Sequence, residues 1–167
     1  GFEGFQDQTA FQNVVQLSVQ DQGDRRPMGY FGAGAVRRDM LPPPAEIGRE
    51  AARRTLDLLG GKKIKTETLP VIIENRVVSR LLGGFLAAMY GANVQQKRSF
   101  LADKKGQKVA SGIFTLIDDP FIPRWLNSRW FDGDGLSTRR RVMVEAGVLR
   151  EFWVDWYYSR KLGWEPT

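Results

Sequence analysis

Residues 77–101 read VVSRLLGGFLAAMYGANVQQKRSFL. Val77, Val78, Leu81, Leu82, Phe85, Leu86 and Met89 recur at intervals of three and four, the spacing that predicts a buried helix. Gly83 and Gly84 stand side by side at its centre, where each costs about 1 kcal/mol relative to alanine. Such a helix is held by tertiary packing rather than by its own propensity. Close packing against a neighbouring element, which demands small residues, is one account of the pair.

Outward from that stretch, the pattern is mostly β. FQNVVQLSVQ (11–20) alternates, with Phe11, Val15, Leu17 and Val19 on one face and Gln12, Gln16, Ser18 and Gln20 on the other, which predicts a half-buried antiparallel strand. DQGDRRP then reads as a loop, and MGYFGAGAV (28–36) as a glycine-rich partner strand closely packed by another element. LPPPAEIGREAARRTLDLLGG (41–61) predicts a helix, with Pro43 and Pro44 at its start, Glu46 and Glu50 near the amino end, and Gly60 and Gly61 stopping it. Ala52, Leu56 and Leu59 form its expected packing face. LPVIIEN (69–75) reads as a short apolar strand, SFLADKKGQKVAS as a hairpin about Lys105 and Gly106, and GIFTLIDDP as a strand closed by Pro120. Residues 121–140 are loop-like, and RRVMVEAGVLREFWVDWYY forms a last hairpin turning at Glu145, Ala146 and Gly147. The expected fold is one α+β unit, mainly antiparallel strands with two principal helices.

Composition narrows the chemistry. The 167 residues suit one domain or a large piece of one, able to bury roughly two thirds of the unfolded surface. A hydrophobic fraction of 42% with five Trp and ten Phe indicates a globular chain. No apolar run approaches the roughly 20 residues needed to span a bilayer, and the opening GFEGFQDQTAF lacks the features of a secretory leader. With no Cys, no disulfide is expected and a cytoplasmic location is the default. The absence of both His and Cys removes imidazole and thiolate ligands, and with them the Ser-His-Asp and Cys-His nucleophiles.

The net charge of +6 raises a nucleic-acid reading. The basic clusters at 24–26, 37–39, 61–65 and 138–141 are scattered and interrupted by acids, without interleaved aromatic residues, which favours solvated surface. FDGDG (131–135) opens like a calcium loop, but its twelfth position is Met143 rather than glutamate, so Asp132 and Asp134 are expected to cap turn amides. Asp118 and Asp119 are adjacent on a strand, point to opposite faces, and are not expected to converge as an acid–base pair.

Taken together and in order, IGREAARRTLDLLGGKKIKT, PVIIENRVVSRLLGGFLAAMYGANVQQKRSFLADKKGQKVAS, TLIDDP, FDGDGLSTRRRVMVEAGVLREFWVDWYYSRKLG and the final Pro166 and Thr167 resemble the TldD/PmbA family, bacterial proteins historically labelled modulators of DNA gyrase. The opening GFEGF and strand 11–20 look like that family's central β region. The resemblance implies that residues 1–167 are a segment spanning the central and the start of the C-terminal region of a longer chain, continuing at both ends. It implies further that TldD-type members are zinc metallopeptidases, with two ligands and a general base on a His-Glu-x-x-x-His helix and a later cysteine completing the site. PmbA-type members, also called TldE, lack that motif and partner the active subunit.

By the family pattern, Gly83 and Gly84 fall where the first His and the Glu would stand, and Ala88 where the second His would be. A spacing of five is about 140° of rotation on a regular helix, so an active member's helix must distort to converge its ligands. The resemblance therefore implies a PmbA/TldE-like subunit with no catalytic or metal residue of its own in this chain, partnering a zinc-bearing TldD-like subunit in a homo- or hetero-oligomer that cleaves peptides, with no membrane role. If Gly83, Gly84 and Ala88 line a relic site, they should face a concave surface rather than the core. The alternative is a basic, gyrase-modulating nucleic-acid module, whose affinity would fall with salt at a log–log slope of about −0.9 per phosphate contacted.

Overall fold

The computed structural model describes residues 3–167; Gly1 and Phe2 of the opening GFEGF lie outside the described residues. Two compact units form, one from Gln6–Leu69 with Pro123–Ser128, the other from Pro70–Ile122 with Arg129–Thr167 and the first residues of the chain.

In the first unit, β1 (Phe11–Ser18) pairs antiparallel with β2 (Met28–Ala35), Phe11 opposite Ala35 and Ser18 opposite Met28. The amphipathic spacing that predicts this hairpin is realised, and helix α1 (Pro44–Leu56) packs upon it. The close approach expected at the glycine-rich strand occurs at Gly29, where an added Cβ would lie 2.6 Å from Thr55 Oγ1 and 2.8 Å from Thr55 Cα. The helix therefore buries Ile47, Ala51 and Thr55, not the expected face of Ala52, Leu56 and Leu59; Leu56 is 53% exposed. Thr55 takes part in this contact because its hydroxyl donates to the Ala51 carbonyl at 2.7 Å, so no polar atom is buried unpaired. Pro44 occupies the first turn, Glu46 faces the amino end, and Arg53 and Arg54 face the carboxyl end, each where the helix dipole favours it.

The second unit holds α2 (Val78–Ala88), α3 (Gly91–Gln95), a three-stranded antiparallel sheet and α4 (Trp156–Leu162). The sheet order is β3 (Leu116–Asp118), β4 (Arg141–Glu145), β5 (Val148–Leu149). Its core gathers Ala88, Met89, Leu101, Met143, Val144, Leu149, Phe152 and Val154. The class is α+β as expected, and α1 and α2 are its two longest helices.

Four local expectations are corrected. Residues 69–75 form no strand: apolar sequence becomes a strand only with a ladder partner, none pairs with them among the described residues, and Ile72 is fully exposed. The stretch around Gly106 does not fold on itself; Gly106 N donates to Leu149 O at 2.8 Å, Leu149 N to Gln107 O at 3.0 Å and Val109 N to Gly147 O at 2.8 Å, so it edges β5. The last hairpin ends at Leu149, and residues beyond it re-enter a helix because Asp155 accepts the Tyr158 amide at 2.7 Å as N-cap and Gly163, at φ 68°, closes the other end. Finally, α2 is not wholly buried: Leu81 is 63% exposed, and the core takes its carboxyl end.

The turn at Ala146 and Gly147 has φ of 46° and 82°, the mirror-image geometry that suits a two-residue hairpin. A Cβ on Gly147 would sit 2.4 Å from Ala110 O and 2.7 Å from Ser111 O. Gly147→Ala should therefore cost about 3 kcal/mol or more. Ala146→Asn, which eases a left-handed alanine, should gain about 1 kcal/mol. Urea unfolding of the two variants checks both signs. In the first unit, hydrogen bonds from Arg53, then from Arg54, hold the Glu50 carboxyl down at about 2, below its usual 4.5. A depressed folded-state value gives stability that is full above pH 4.5 and lost as pH falls toward 2. Glu50→Gln should remove that part of the acid sensitivity, and added salt should shrink the difference because the groups are solvent-facing; unfolding midpoints measured across this pH range report it.

Candidate functional site

Two places in the second unit bear on function. The first is α2. Gly83 and Gly84 are exposed, and an added Cβ at either meets nothing within 4 Å. The close-packing account of the glycine pair therefore fails at both positions. Ala88 differs: it is 4% exposed, belongs to the core, and its carbonyl accepts the Ser99 hydroxyl at 2.6 Å. The helix buries Ala88 beside Met89, and Phe85 meets Phe114 edge-on at 5.9 Å. The three positions thus divide between an open face and the core, and the expectation that all three face a concave surface holds only for the glycines' openness.

The second place is a cavity of about 530 Å³ where the α2–α3 junction, the end of β3, residues 129–139 and residues 153–155 meet. Tyr90 and Trp153 stack on its wall with ring centroids 5.3 Å apart and planes at 32°. Backbone bonds from Gly91 N to Trp153 O (2.7 Å) and from Trp153 N to Met89 O (2.9 Å) fasten these two segments together. Trp153 Nε1 donates to Asp118 Oδ2 at 2.7 Å, which fixes the indole.

The acids of this cavity are all acceptors of protein N–H groups. Asp132 Oδ1 takes the amides of Asp134 and Leu136, both at 2.9 Å, so FDGDG caps a turn as expected. Asp134 Oδ2 accepts the Trp156 amide at 3.0 Å, and Asp155 caps α4. Asp118 and Asp119 diverge as expected: Asp119 accepts the Phe121 amide at 3.0 Å and pairs with Arg140 at 3.3 Å. Buried Arg141 pairs with Glu151 at 2.6 Å. Among the described residues no group of three or more His, Cys, Asp or Glu could hold a metal ion. Sequence reading misses Trp153 and Tyr90 as wall residues because it places 153 on a hairpin strand. The Asp155 N-cap paired with Gly163 is the signal that would have ended that strand.

Residues 66–167 match the family described as PmbA/TldA metallopeptidase C-terminal domain. Metalloprotease PmbA of Escherichia coli O157:H7 is 32% identical over 149 residues, covering 89% of this chain and 33% of that protein. The Metalloprotease PmbA homolog of Haemophilus influenzae is 34% identical over 129 residues, covering 77% and 29%. The chain thus spans about a third of the length of these curated relatives. A crystal structure from Bacteroides thetaiotaomicron, provisionally assigned as a modulator of DNA gyrase, superposes with a TM-score of 0.95 at 33% identity over 100% of this chain and 38% of its own. TldE from Thermococcus kodakarensis superposes at 0.78 with 25% identity, over 95% and 36%.

The division along α2 predicts opposite responses. Gly83→Ala and Gly84→Ala should each stabilise by about 0.5–1 kcal/mol, since open helical glycines lose only entropy. The pair Gly83→His with Gly84→Glu should fold with little change. Adding Ala88→His should lower stability by about 1–3 kcal/mol, because it forces a polar ring into the core. Urea unfolding midpoints of the single, double and triple variants separate these outcomes.

Proposed function

The chain belongs to the PmbA/TldD metallopeptidase family, and from that premise we propose that it is a segment of a PmbA/TldE-like subunit that carries no metal site of its own and partners a zinc-bearing TldD-like subunit in cleaving peptides. Residues 1–167 in this reading span the central and the start of the C-terminal region of the longer protein. The observation that carries it is the donor set. There is no His or Cys anywhere in the sequence, and the helix that the family pattern assigns to His-Glu-x-x-x-His has Gly83, Gly84 and Ala88 at those positions. A zinc ion wants imidazole, thiolate or converging carboxylates. The carboxylates that cluster in the second unit each have an oxygen engaged by a backbone amide or by the Trp153 indole. The residues present do not fit a catalytic zinc, and no step is routed through one.

Two further observations support the reading. The open space around Gly83 and Gly84 leaves room for the side chains that the family pattern has at those positions. Within three of the basic clusters some arginines have acid partners, Arg25 with Asp21, Arg37 with Asp39, Arg140 with Asp119 and Arg141 with Glu151, and together with the scatter of the clusters this favours a solvated surface over a nucleic-acid groove. No helix among the described residues is long and apolar enough to cross a membrane. A cytoplasmic, oligomeric assembly is the setting we assign to it.

Metal analysis tests the proposal. The chelator-washed full-length protein should bring no stoichiometric zinc and cleave no peptide alone, and mixing with a TldD-like subunit should give a complex whose zinc and peptidase activity follow the partner. Stoichiometric zinc in the washed protein alone overturns it. So does a partner whose activity is indifferent to the mixture.

A further inference from the structure

The second unit carries a strand's sequence with nothing to pair with. Residues 70–75 read PVIIEN, and three consecutive β-branched residues there are open to solvent: Val71 is 76% exposed, Ile72 fully and Ile73 37%. Successive side chains of a strand point to opposite sides, so an unbroken apolar run is the mark of a strand covered on both faces. No backbone hydrogen bond joins Val71, Ile72 or Ile73 to another residue among the described residues. The first such bond after them runs from Val77 N to Glu74 O at 3.0 Å, at the turn into α2. No charged residue falls between Glu67 and Glu74, so the charges that keep a free edge from pairing are missing, and Pro70 stands at the start, where a strand tolerates it. The want of cover continues on α2. Leu81 is 63% exposed, and Phe85, one turn on, meets Phe100 at 6.5 Å, itself 66% exposed.

Such a segment has three possible occupants: more of the same polypeptide, a second copy, or another subunit. Two observations favour the first. This chain covers 33% of the Escherichia coli relative and 38% of the Bacteroides crystal chain, yet it superposes on the latter with a TM-score of 0.95 over 100% of its own length. The backbone of residues 70–75 therefore runs within a trace shared with a protein most of whose polypeptide lies outside the shared part. Composition agrees. A non-obligate interface is about as polar as the rest of a protein surface, whereas apolar side chains on both sides of an uncharged strand have the composition of a core.

We propose that Val71, Ile72 and Ile73 form an interior strand of a sheet completed by the part of the same polypeptide outside residues 1–167, which covers both faces of that strand. That a longer polypeptide surrounds these residues rests on the function proposed above; the unpaired strand itself rests on the exposures and on the missing backbone bonds. Hydrogen exchange of the full-length protein alone, read by mass spectrometry on peptides spanning 70–75, tests it. The amides of Val71, Ile72 and Ile73 should exchange at least roughly 100-fold more slowly than those of a free chain, and neither dilution nor an added TldD-like subunit should change this. Free-chain exchange overturns the proposal. So does protection that fades on dilution, the sign of a second copy, or protection that appears only with the TldD-like subunit. Thermal unfolding of full-length variants adds a second readout. Ile72→Lys should lower the midpoint, and Ile72→Val, which removes one methylene, should lower it by less. Substitutions at a solvent-exposed position move it little, so a midpoint unmoved by both overturns the burial of Ile72; should the lysine variant not fold, the valine variant carries the comparison. None of these readouts involves zinc or peptide cleavage, so failure here leaves the metal test of the subunit role standing, and the converse.

Discussion

At Gly147 the backbone passes so close to Ala110 and Ser111 that no side chain can stand there, and much of the second unit is arranged by that approach. Its amide donates to Phe114 O at 2.8 Å, and its carbonyl accepts the amides of Val109 (2.8 Å) and Ala110 (3.2 Å). One residue thus turns β4 into β5 and grips a segment far from it in sequence. With the turn held, Met143, Val144 and Leu149 are aimed inward, and Phe152 and Val154 follow them into the same core. The chain beyond is then delivered to Met89 and Gly91, which is how Trp153 comes to stack on Tyr90.

What the sequence makes legible is whatever depends on near neighbours. The alternation in 11–20, the prolines at the start of α1, the Glu145-Ala146-Gly147 turn and the capping role of Asp132 are local facts, and each is realised. The errors arise where a distant partner decides. Residues 69–75 have a strand's composition but no ladder, and the stretch around Gly106 has a hairpin's turn but finds its partner in β5. In α1 the expected face of Ala52, Leu56 and Leu59 gives way to that of Ile47, Ala51 and Thr55, with Thr55 lying against the bare backbone of Gly29. The glycines of α2 are visible at once, yet the burial of Ala88 is not, because a five-residue step carries the helix from its open face to the core.

The chemistry of this region follows from how its carboxylates are used. A carboxylate that serves as acid, base or metal ligand needs an oxygen free toward the reacting atom. Here Asp132, Asp134 and Asp155 hold a turn and a helix start, and Asp118 holds a tryptophan. Each of these acids has one oxygen engaged by the protein's own N–H groups, and so helps give the cavity its shape.

The helix α2 has a further mechanical property. At its carboxyl end it is clamped, with Ala88 O accepting Ser99, Ala87 O accepting the Asn93 side chain at 2.6 Å and Met89 O accepting Trp153 N. Toward its amino end it carries exposed Leu81 and then two glycines in open space. Its anchorage thus lies in the carbonyls of its last turn, and a side chain added at either glycine would meet solvent rather than that anchorage.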